Sequence, residues 1–424
     1  MLAAGQRRLV WVISLGGFLE FYDFIIYALM AGYLADNFFP SDDPWSSLLT
    51  TFATFSVGYF ARPVGGIVFG HFGDRHGRKP TFITTVLIMA LSTALIGCLP
   101  TYQQAGILAP VLLILLRIFQ GFSIGGEIPG AMTYLSETVH ERQGLVMGML
   151  FLALVNGVVF GSLVHACMLW WLTPELMASW GWRVPFWLGG SLGICSYLVR
   201  KSFHESSQFL DMTRRKQQSR VPIAALLQDH RKTLLCGIFM IVPVATSMTL
   251  LFLFTPGYLT KLLAYDPADV VLAGSIGLFG SSLVFVAVGN LADTCSGRWL
   301  LALSSVLVLL LAWPVFAWYS SGTAVVLLAM LVSALMLGAI TGIAPLLLSF
   351  IFPVSVRYSG IAFSYNLGFA LFGGMTPVIA MGLIRWTGDL TSPAWYLMVS
   401  GVCGLLACIL LPCSRVAEGF QQES

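Results

Sequence analysis

Gly70-His71-Phe72-Gly73-Asp74-Arg75-His76-Gly77-Arg78-Lys79 lies between two apolar stretches, and Gly289-Asn290-Leu291-Ala292-Asp293-Thr294-Cys295-Ser296-Gly297-Arg298 lies between two others. Both read Gly-x-x-x-Asp followed by Gly-Arg. The second copy is degenerate and one residue longer between its aspartate and its glycine. Arg142 and Arg357 form a second matching pair, each ahead of a later apolar stretch in its own half. Halves that repeat in parallel orientation describe two helical bundles with a central site between them.

The composition identifies the medium around those bundles. Of 424 residues, 57% are hydrophobic and 10% charged, with a mean hydropathy of +0.85. Soluble domains carry roughly 25% charged residues. Apolar stretches of about 20 residues recur, each long enough to cross a bilayer. Lipid offers no partners to backbone N–H and C=O groups, so each stretch is expected to be a helix. Twelve are predicted, over residues 9–36, 46–70, 80–99, 107–136, 144–171, 182–200, 231–262, 269–290, 299–319, 322–351, 358–386 and 393–412. The expected fold is an all-α membrane protein of twelve transmembrane helices in two six-helix bundles. Residues 1–200 make the first bundle, 201–230 a hydrophilic linker, and 231–424 the second bundle with a short tail.

Net charge is +3, but its distribution says more. Arg7 and Arg8 precede the first helix, Arg75, Arg78 and Lys79 follow the second, and Arg200, Lys201, Arg214, Arg215, Lys216, Arg220, Arg231 and Lys232 crowd the middle segment. Arg142, Arg298, Arg357 and Arg415 fall at the other even-numbered connections or the tail. The odd-numbered connections hold only Arg183, Lys261 and Arg385, and the first of them carries Asp36, Asp42 and Asp43. Positive charge collects on the cytoplasmic side, so both termini and the linker are expected there. The first helix is too long for a cleavable signal, carries two acids and lacks a small-residue cleavage site. The eight cysteines form no Cys-x-x-Cys pair and read as small apolar fillers, with no metal site or disulfide expected.

Five ionisable groups fall at membrane depth, all in the first half: Glu20 and Asp23, Arg62, and Arg117 and Glu127. Each costs about 2.5–3.5 kcal/mol at a bilayer centre even on lenient scales, so together they require pairing or a function. Glu20, Asp23 and Tyr27 share one face of the first helix by their spacing of three and four. Gln120 and Glu127 share a face of the fourth helix, with Arg117 one turn from Gln120. Arginine remains charged and can hold a carboxylate ionised or bind an anion. A carboxylate in a dry site with a changing partner has a movable proton affinity. These properties suit proton coupling, and Glu20, Asp23, Arg117 and Glu127 are the coupling candidates. The alternative is structural, with Arg62 and Arg117 neutralising Asp23 and Glu127. His165 reads as an interhelical hydrogen bonder.

The repeated motif offers a gate. Its glycines permit a tight turn. A carboxylate can cap a neighbouring helix N-terminus, and the arginines can pair with acids such as Glu137 or Glu141. Asp74, Arg75, Gly77, Arg78, Glu137, Arg142, Asp293 and Arg357 are therefore expected to hold the cytoplasmic side shut in one conformation and release it in another. Gly121-x-x-x-Gly125, Gly126-x-x-x-Gly130 and Gly66-x-x-x-Gly70 predict closely packed helices. The second half supplies neutral groups, among them Tyr365, Asn366, Thr246, Thr249 and Thr376, to which helix 5 adds Asn156.

At these residues the sequence resembles the metabolite:proton symporter family of the major facilitator superfamily. The strings that carry it are Gly16-Gly17-Phe18-Leu19-Glu20-Phe21-Tyr22-Asp23-Phe24, Phe60-Ala61-Arg62-Pro63-Val64-Gly65-Gly66, the Gly70–Lys79 motif, and Leu116-Arg117-Ile118-Phe119-Gln120-Gly121 through Glu127. Gly181-Trp182-Arg183-Val184-Pro185-Phe186 and Arg357-Tyr358-Ser359-Gly360 through Tyr365-Asn366-Leu367-Gly368 complete it. Ile128-Pro129 departs from the family's usual small or aromatic residue and glycine, and the short tail lacks the heptad helix of osmosensory members. The resemblance implies alternating access and proton symport into a bacterial cytoplasm across the inner membrane. It also implies functional roles for Glu20, Asp23, Arg62, Arg117 and Glu127. Tyr22, Tyr27, Arg62, Arg117, Gln120, Asn156, Tyr365 and Asn366 are the substrate-binding candidates.

The expected partners are protons, the bilayer and a small carboxylate-bearing or zwitterionic metabolite, with no cofactor, no nucleic acid and a monomeric state. The residues fit proton-driven efflux by the same fold equally well. A sensor would need a signalling domain. An enzyme would need a clustered nucleophile and base or metal ligands, whereas His71, His76, His140, His165, His204 and His230 are scattered.

Overall fold

The computed structural model describes residues 4–40, 44–215, 219 and 221–411, and all regular structure among them is helical. The spanning helices, numbered 1 to 12, are Ala4–Leu29, Pro44–His76, Arg78–Cys98, Leu108–Thr138, Gln143–Trp171, Val184–Arg200, Arg231–Lys261, Pro267–Ala292, Gly297–Tyr319, Val326–Ile351, Val354–Thr387 and Pro393–Leu410. Ten are long and apolar enough to cross a bilayer on their own. Helix 6 falls short with 17 residues. Helix 2 carries Arg62 among threonines, serines and glycines, which dilutes its apolar character. Both are instead held by neighbours, helix 2 against helix 4 and helix 6 against helix 3. Lys216, Arg220, Asp42, Asp43 and the tail with Arg415 lie outside the described residues.

Close approach explains the glycines of helices 2 and 4. A Cβ at Gly121 would lie 1.9 Å from the Gly58 carbonyl oxygen, and one at Gly65 would lie 1.9 Å from that of Phe122. The bundles meet mainly where helix 5 packs on helix 8 and helix 11 packs on helices 2 and 4. Trp170, Trp171, Trp299 and Trp386 are at least three-quarters exposed near helix ends, where indole bridges lipid and water.

The structure departs from the sequence reading in several places. The predicted first helix is interrupted by a turn at Met30 and resumes as Ala31–Phe38. The motif after helix 2 is hardly a loop. Helix 2 runs to His76 and helix 3 starts at Arg78, so Gly77 alone makes the turn, at φ +121°. Only glycine adopts that conformation without strain. The middle segment contains two short helices, Ser207–Arg214 and Pro222–Asp229, which lie across the motif-bearing face. Helices 7 and 11 carry wide π turns over Thr249–Phe254 and Phe369–Gly373. The Thr249 and Thr376 hydroxyls join across those two helices at 2.9 Å.

Candidate functional site

Helix 1 presents its acids to two different partners. Glu20 is fully buried, and its Oε1 accepts a hydrogen bond from Arg62 at 2.9 Å. Glu20 Oε2 has no hydrogen-bond partner among the described residues. Asp23 instead accepts a hydrogen bond from the Thr93 hydroxyl of helix 3. Thr93 in turn accepts from Gln120 Nε2 at 2.7 Å, and Gln120 Oε1 accepts from Arg117 at 2.7 Å. The Arg117 guanidinium lies over the Tyr27 ring at 3.9 Å, and Arg62 lies 4.9 Å from the Tyr59 ring centre. Such cation–π contacts hold a charge in a dry place without neutralising it. From the other bundle, Tyr365 comes within electrostatic reach of Glu20 and Arg62 and packs at a tilt against Phe369, ring centres 4.7 Å apart. Asn366 donates to the Gly125 carbonyl of helix 4 at 2.7 Å.

Glu127 sits deeper in the first bundle. Its Oε1 accepts from Arg200 at 2.7 Å and its Oε2 from Thr85 at 2.7 Å. Arg200 also lies on the Phe82 ring at 3.7 Å and reaches the Ile13 carbonyl at 3.3 Å. Arg200 is fully buried, and this corrects its assignment to the hydrophilic middle segment. It ends a helix of 17 residues, so its long side chain turns back into the bundle. Arg62 pairs with Glu20 and Arg200 with Glu127, while Arg117 lies within charge–charge range of Asp23 and is linked to it through Gln120 and Thr93.

The motif-bearing face is closed by interactions between the bundles. Asp74 accepts from the backbone amides of Tyr358 at 3.2 Å and Ser359 at 2.9 Å, at the start of the Arg357–Gly368 segment of helix 11. Asp293 accepts from the amides of Gly144 at 2.6 Å and Leu145 at 3.1 Å, at the start of helix 5. Burial pushes the Asp293 carboxyl above its usual range, while the two amides and the Arg142 charge pull it back. Arg78 pairs with Asp74 at 3.1 Å and Glu137 at 3.0 Å, and donates to the Val354 carbonyl at 2.7 Å. Arg357 reaches Glu137 at 3.4 Å and Gln208 at 2.7 Å. Glu205 accepts from the amides of Arg78 and Lys79, and Ser206 donates to Glu137 at 2.6 Å. Gly144 and Gly289 touch across the bundles, where a Cβ on either would lie 2.1–2.2 Å from the other's carbonyl oxygen.

Other predicted residues lie elsewhere. The Tyr22 hydroxyl donates to the Pro185 carbonyl of helix 6 at 2.9 Å and braces two helices of one bundle. Asn156 is half-buried and donates to Leu152 of its own helix. Arg75 and Arg142 are exposed, the latter at φ +52° where helix 5 begins. Sequence reasoning missed Tyr59, Thr93, Arg200, Glu205, Ser206 and Gln208. Tyr59 was findable, since it precedes Arg62 by three and so shares its helix face. Thr93 carries no such signal in an apolar helix.

A closed pair of reciprocally capped bundles, with buried charges in the first, invites comparison with known proteins. The family model described as Major Facilitator Superfamily matches residues 13–374. The chain belongs to the major facilitator superfamily. This facilitator is 33% identical over 94% of its length to the glycine betaine/proline/ectoine/pipecolic acid transporter OusA of Dickeya dadantii, of which the match covers 82%. It is 32% identical over 98% of its length to the citrate-proton symporter of Klebsiella pneumoniae, covering 95% of that protein. Those relatives agree with the metabolite:proton symporter resemblance. Among solved structures, a double-tryptophan mutant of XylE superposes with a TM-score of 0.83 at 14% identity, covering 99% of both chains. That similarity establishes the fold alone. The facilitator fold has twelve membrane-spanning helices in two six-helix bundles, and the chain is a membrane transporter.

Proposed function

We propose that this facilitator is a proton-coupled symporter that carries a small carboxylate-bearing or zwitterionic metabolite into the bacterial cytoplasm by alternating access. The observation that carries the reading is the buried set formed by Asp23, Glu20–Arg62 and Arg117, with Tyr365 of the opposite bundle facing the Glu20–Arg62 pair. It combines a carboxylate able to take a proton with guanidinium groups able to receive an anion. The basic motif face is cytoplasmic in this reading, residues 201–230 link the bundles, and the Asp74 and Asp293 caps shut that face. Proton coupling runs through Asp23 and Glu20. Arg62, Arg117, Tyr27, Gln120, Tyr365 and Asn366 receive the solute. Relatives named for proline, betaine and citrate support the substrate class.

The test is uptake into proteoliposomes under an imposed proton gradient. A screen of citrate, proline and glycine betaine by ligand-induced thermal stabilisation selects the solute, since a specific ligand raises stability with concentration over affinity. Asp23→Asn abolishes concentrative uptake and spares counterflow exchange. Unchanged accumulation removes Asp23 from the mechanism, and proton-driven accumulation of solute inside everted vesicles, whose cytoplasmic face is outside, reverses the direction.

A further inference from the structure

Arg117 and Asp23 are joined through two neutral side chains, and the chemistry of those side chains fixes the direction of every bond. A guanidinium only donates. The Gln120 atom that meets Arg117 at 2.7 Å is therefore the carbonyl Oε1, which leaves Nε2 to face Thr93 Oγ1 at 2.7 Å. Thr93 Oγ1 accepts that bond. Its single hydrogen then points to Asp23 Oδ2. The chain cannot reverse unless Gln120 turns away from Arg117. Thr93 is fully buried and Gln120 nearly so, so water offers little substitute.

We propose that Thr93 is the positioning residue that makes Asp23 respond to Arg117, as the last donor in a one-way chain Arg117→Gln120→Thr93→Asp23. The inference rests on the proton-coupled reading of Asp23 above. Every donor points toward the carboxylate, so the chain favours the ionised form. Bonds in series in a dry site also polarise one another. Asp23 Oδ1 has no hydrogen-bond partner among the described residues, and it faces Gly189 of helix 6, where a Cβ would lie 2.7 Å away. A proton can add at Oδ1 while the chain at Oδ2 stays intact. The charged and titratable groups around Asp23 are Arg117 from helix 4 and Glu20, Tyr22 and Tyr27 from its own helix; helix 2 adds Arg62 and Tyr59 beside Glu20, helix 3 offers Thr93, and helix 6 offers Gly189.

The chain gives symport a physical link. A solute carboxylate that draws Arg117 off Gln120 Oε1 breaks the chain at its far end. Gln120 is then free to turn, Thr93 loses its fixed direction, and the ionised form of Asp23 loses support. Solute binding thereby favours proton binding, and by linkage the proton favours the solute.

Infrared difference spectroscopy of the purified protein in lipid nanodiscs, titrated from acid to alkaline buffer, reads the carbonyl stretch of protonated carboxyl groups. The band missing from Asp23→Asn is assigned to Asp23. Thr93→Val is expected to move its midpoint up by about one pH unit or more, the worth of a hydrogen bond to a charged group. Thr93→Ser keeps the hydroxyl and the wild-type midpoint, which a purely structural role for the threonine methyl would not preserve. A wild-type midpoint in Thr93→Val overturns the chain and leaves the proton-coupled reading standing. An Asp23→Asn spectrum that lacks no band overturns both.

Discussion

Asp74 and Asp293 make the same contact in opposite directions. Asp74, at the end of helix 2, caps the amides of Tyr358 and Ser359 in the second bundle, while Asp293, at the end of helix 8, caps those of Gly144 and Leu145 in the first. Helices 5 and 11 occupy matching places in the two repeats, so one motif used twice latches each bundle to the other. A helix N-terminus carries partial positive charge and unpaired N–H groups, which an ionised carboxylate satisfies. Each cap contributes about 1 kcal/mol. Asp74→Asn and Asp293→Asn should each shift the population toward an open motif face by about fivefold, with the double variant near the product. Alkylation of a cysteine introduced under that face measures it, and a rate unchanged in the double variant would contradict the latch.

Glycine contacts should separate closure of the face from stability of a bundle. Gly144 and Gly289 meet across the bundles, whereas Gly58 and Gly121 meet inside one. A methyl group at Gly289 has no room while the face is closed, because it would meet the Gly144 carbonyl oxygen at 2.2 Å. Gly289→Ala is therefore expected to open the motif face and stop turnover while thermal unfolding stays near wild type. Gly121→Ala forces helices 2 and 4 apart in every conformation and should lower the unfolding temperature. Equal destabilisation by both would show that the helix 5–helix 8 contact does not open.

The turn at Gly77 combines two constraints. Its φ of +121° disfavours any side chain, and a Cβ would lie 2.4 Å from Glu205 Oε2. Gly77→Ala should cost about 1–3 kcal/mol for the backbone and displace Glu205 from the helix 3 amides. Glu205→Gln removes the charge and leaves the turn alone. If the loss at Gly77 comes mainly through Glu205, the double variant is little worse than Gly77→Ala, whereas fully additive losses in thermal unfolding would separate the two effects.

Much of the fold was readable because a bilayer restricts the options. Apolar length, charge asymmetry and the doubled motif lead to twelve helices and two bundles before any contact is known. The charged part of the site was readable for the same reason, since Glu20, Asp23, Arg62 and Arg117 are costly at that depth. The pairing among them was not. Glu20 and Asp23 lie three residues apart on one helix, yet one meets Arg62 and the other Thr93, because rotation of helix 1 against helices 2 and 3 decides the partner. Neutral groups such as Thr93 incur little cost in lipid and so leave no mark in composition. Arg200 was counted with the positive charges of the middle segment because it ends the predicted helix 182–200, and nothing in the sequence shows its side chain turning back to Glu127.

Arg117→Lys separates charge from shape at the centre of the site. Lysine keeps the charge but loses the guanidinium placed over the Tyr27 ring and the forked geometry that holds Gln120 while other donors remain available. Affinity for a carboxylate-bearing ligand should fall about tenfold, near 1.4 kcal/mol, as read from the ligand dependence of thermal stability. A zwitterionic ligand bound through aromatic rings alone would be unaffected.

Glu127 and Arg200 show how a buried pair can be mistaken for machinery. Both are at most 1% exposed, and Thr85, Phe82 and the Ile13 carbonyl surround them. Removing one partner strands a charge in the bundle at about 3–5 kcal/mol, whereas replacing both with apolar side chains is often neutral. Glu127→Gln and Arg200→Met should each lower the unfolding temperature sharply, and Glu127→Leu with Arg200→Met should recover most of the loss. Transport by that double variant then decides the role of Glu127. Retained proton-driven accumulation makes the pair a structural clamp between helices 4 and 6 and leaves Asp23 and Glu20 to carry the coupling. A stable double variant that exchanges solute but cannot concentrate it returns Glu127 to the proton path.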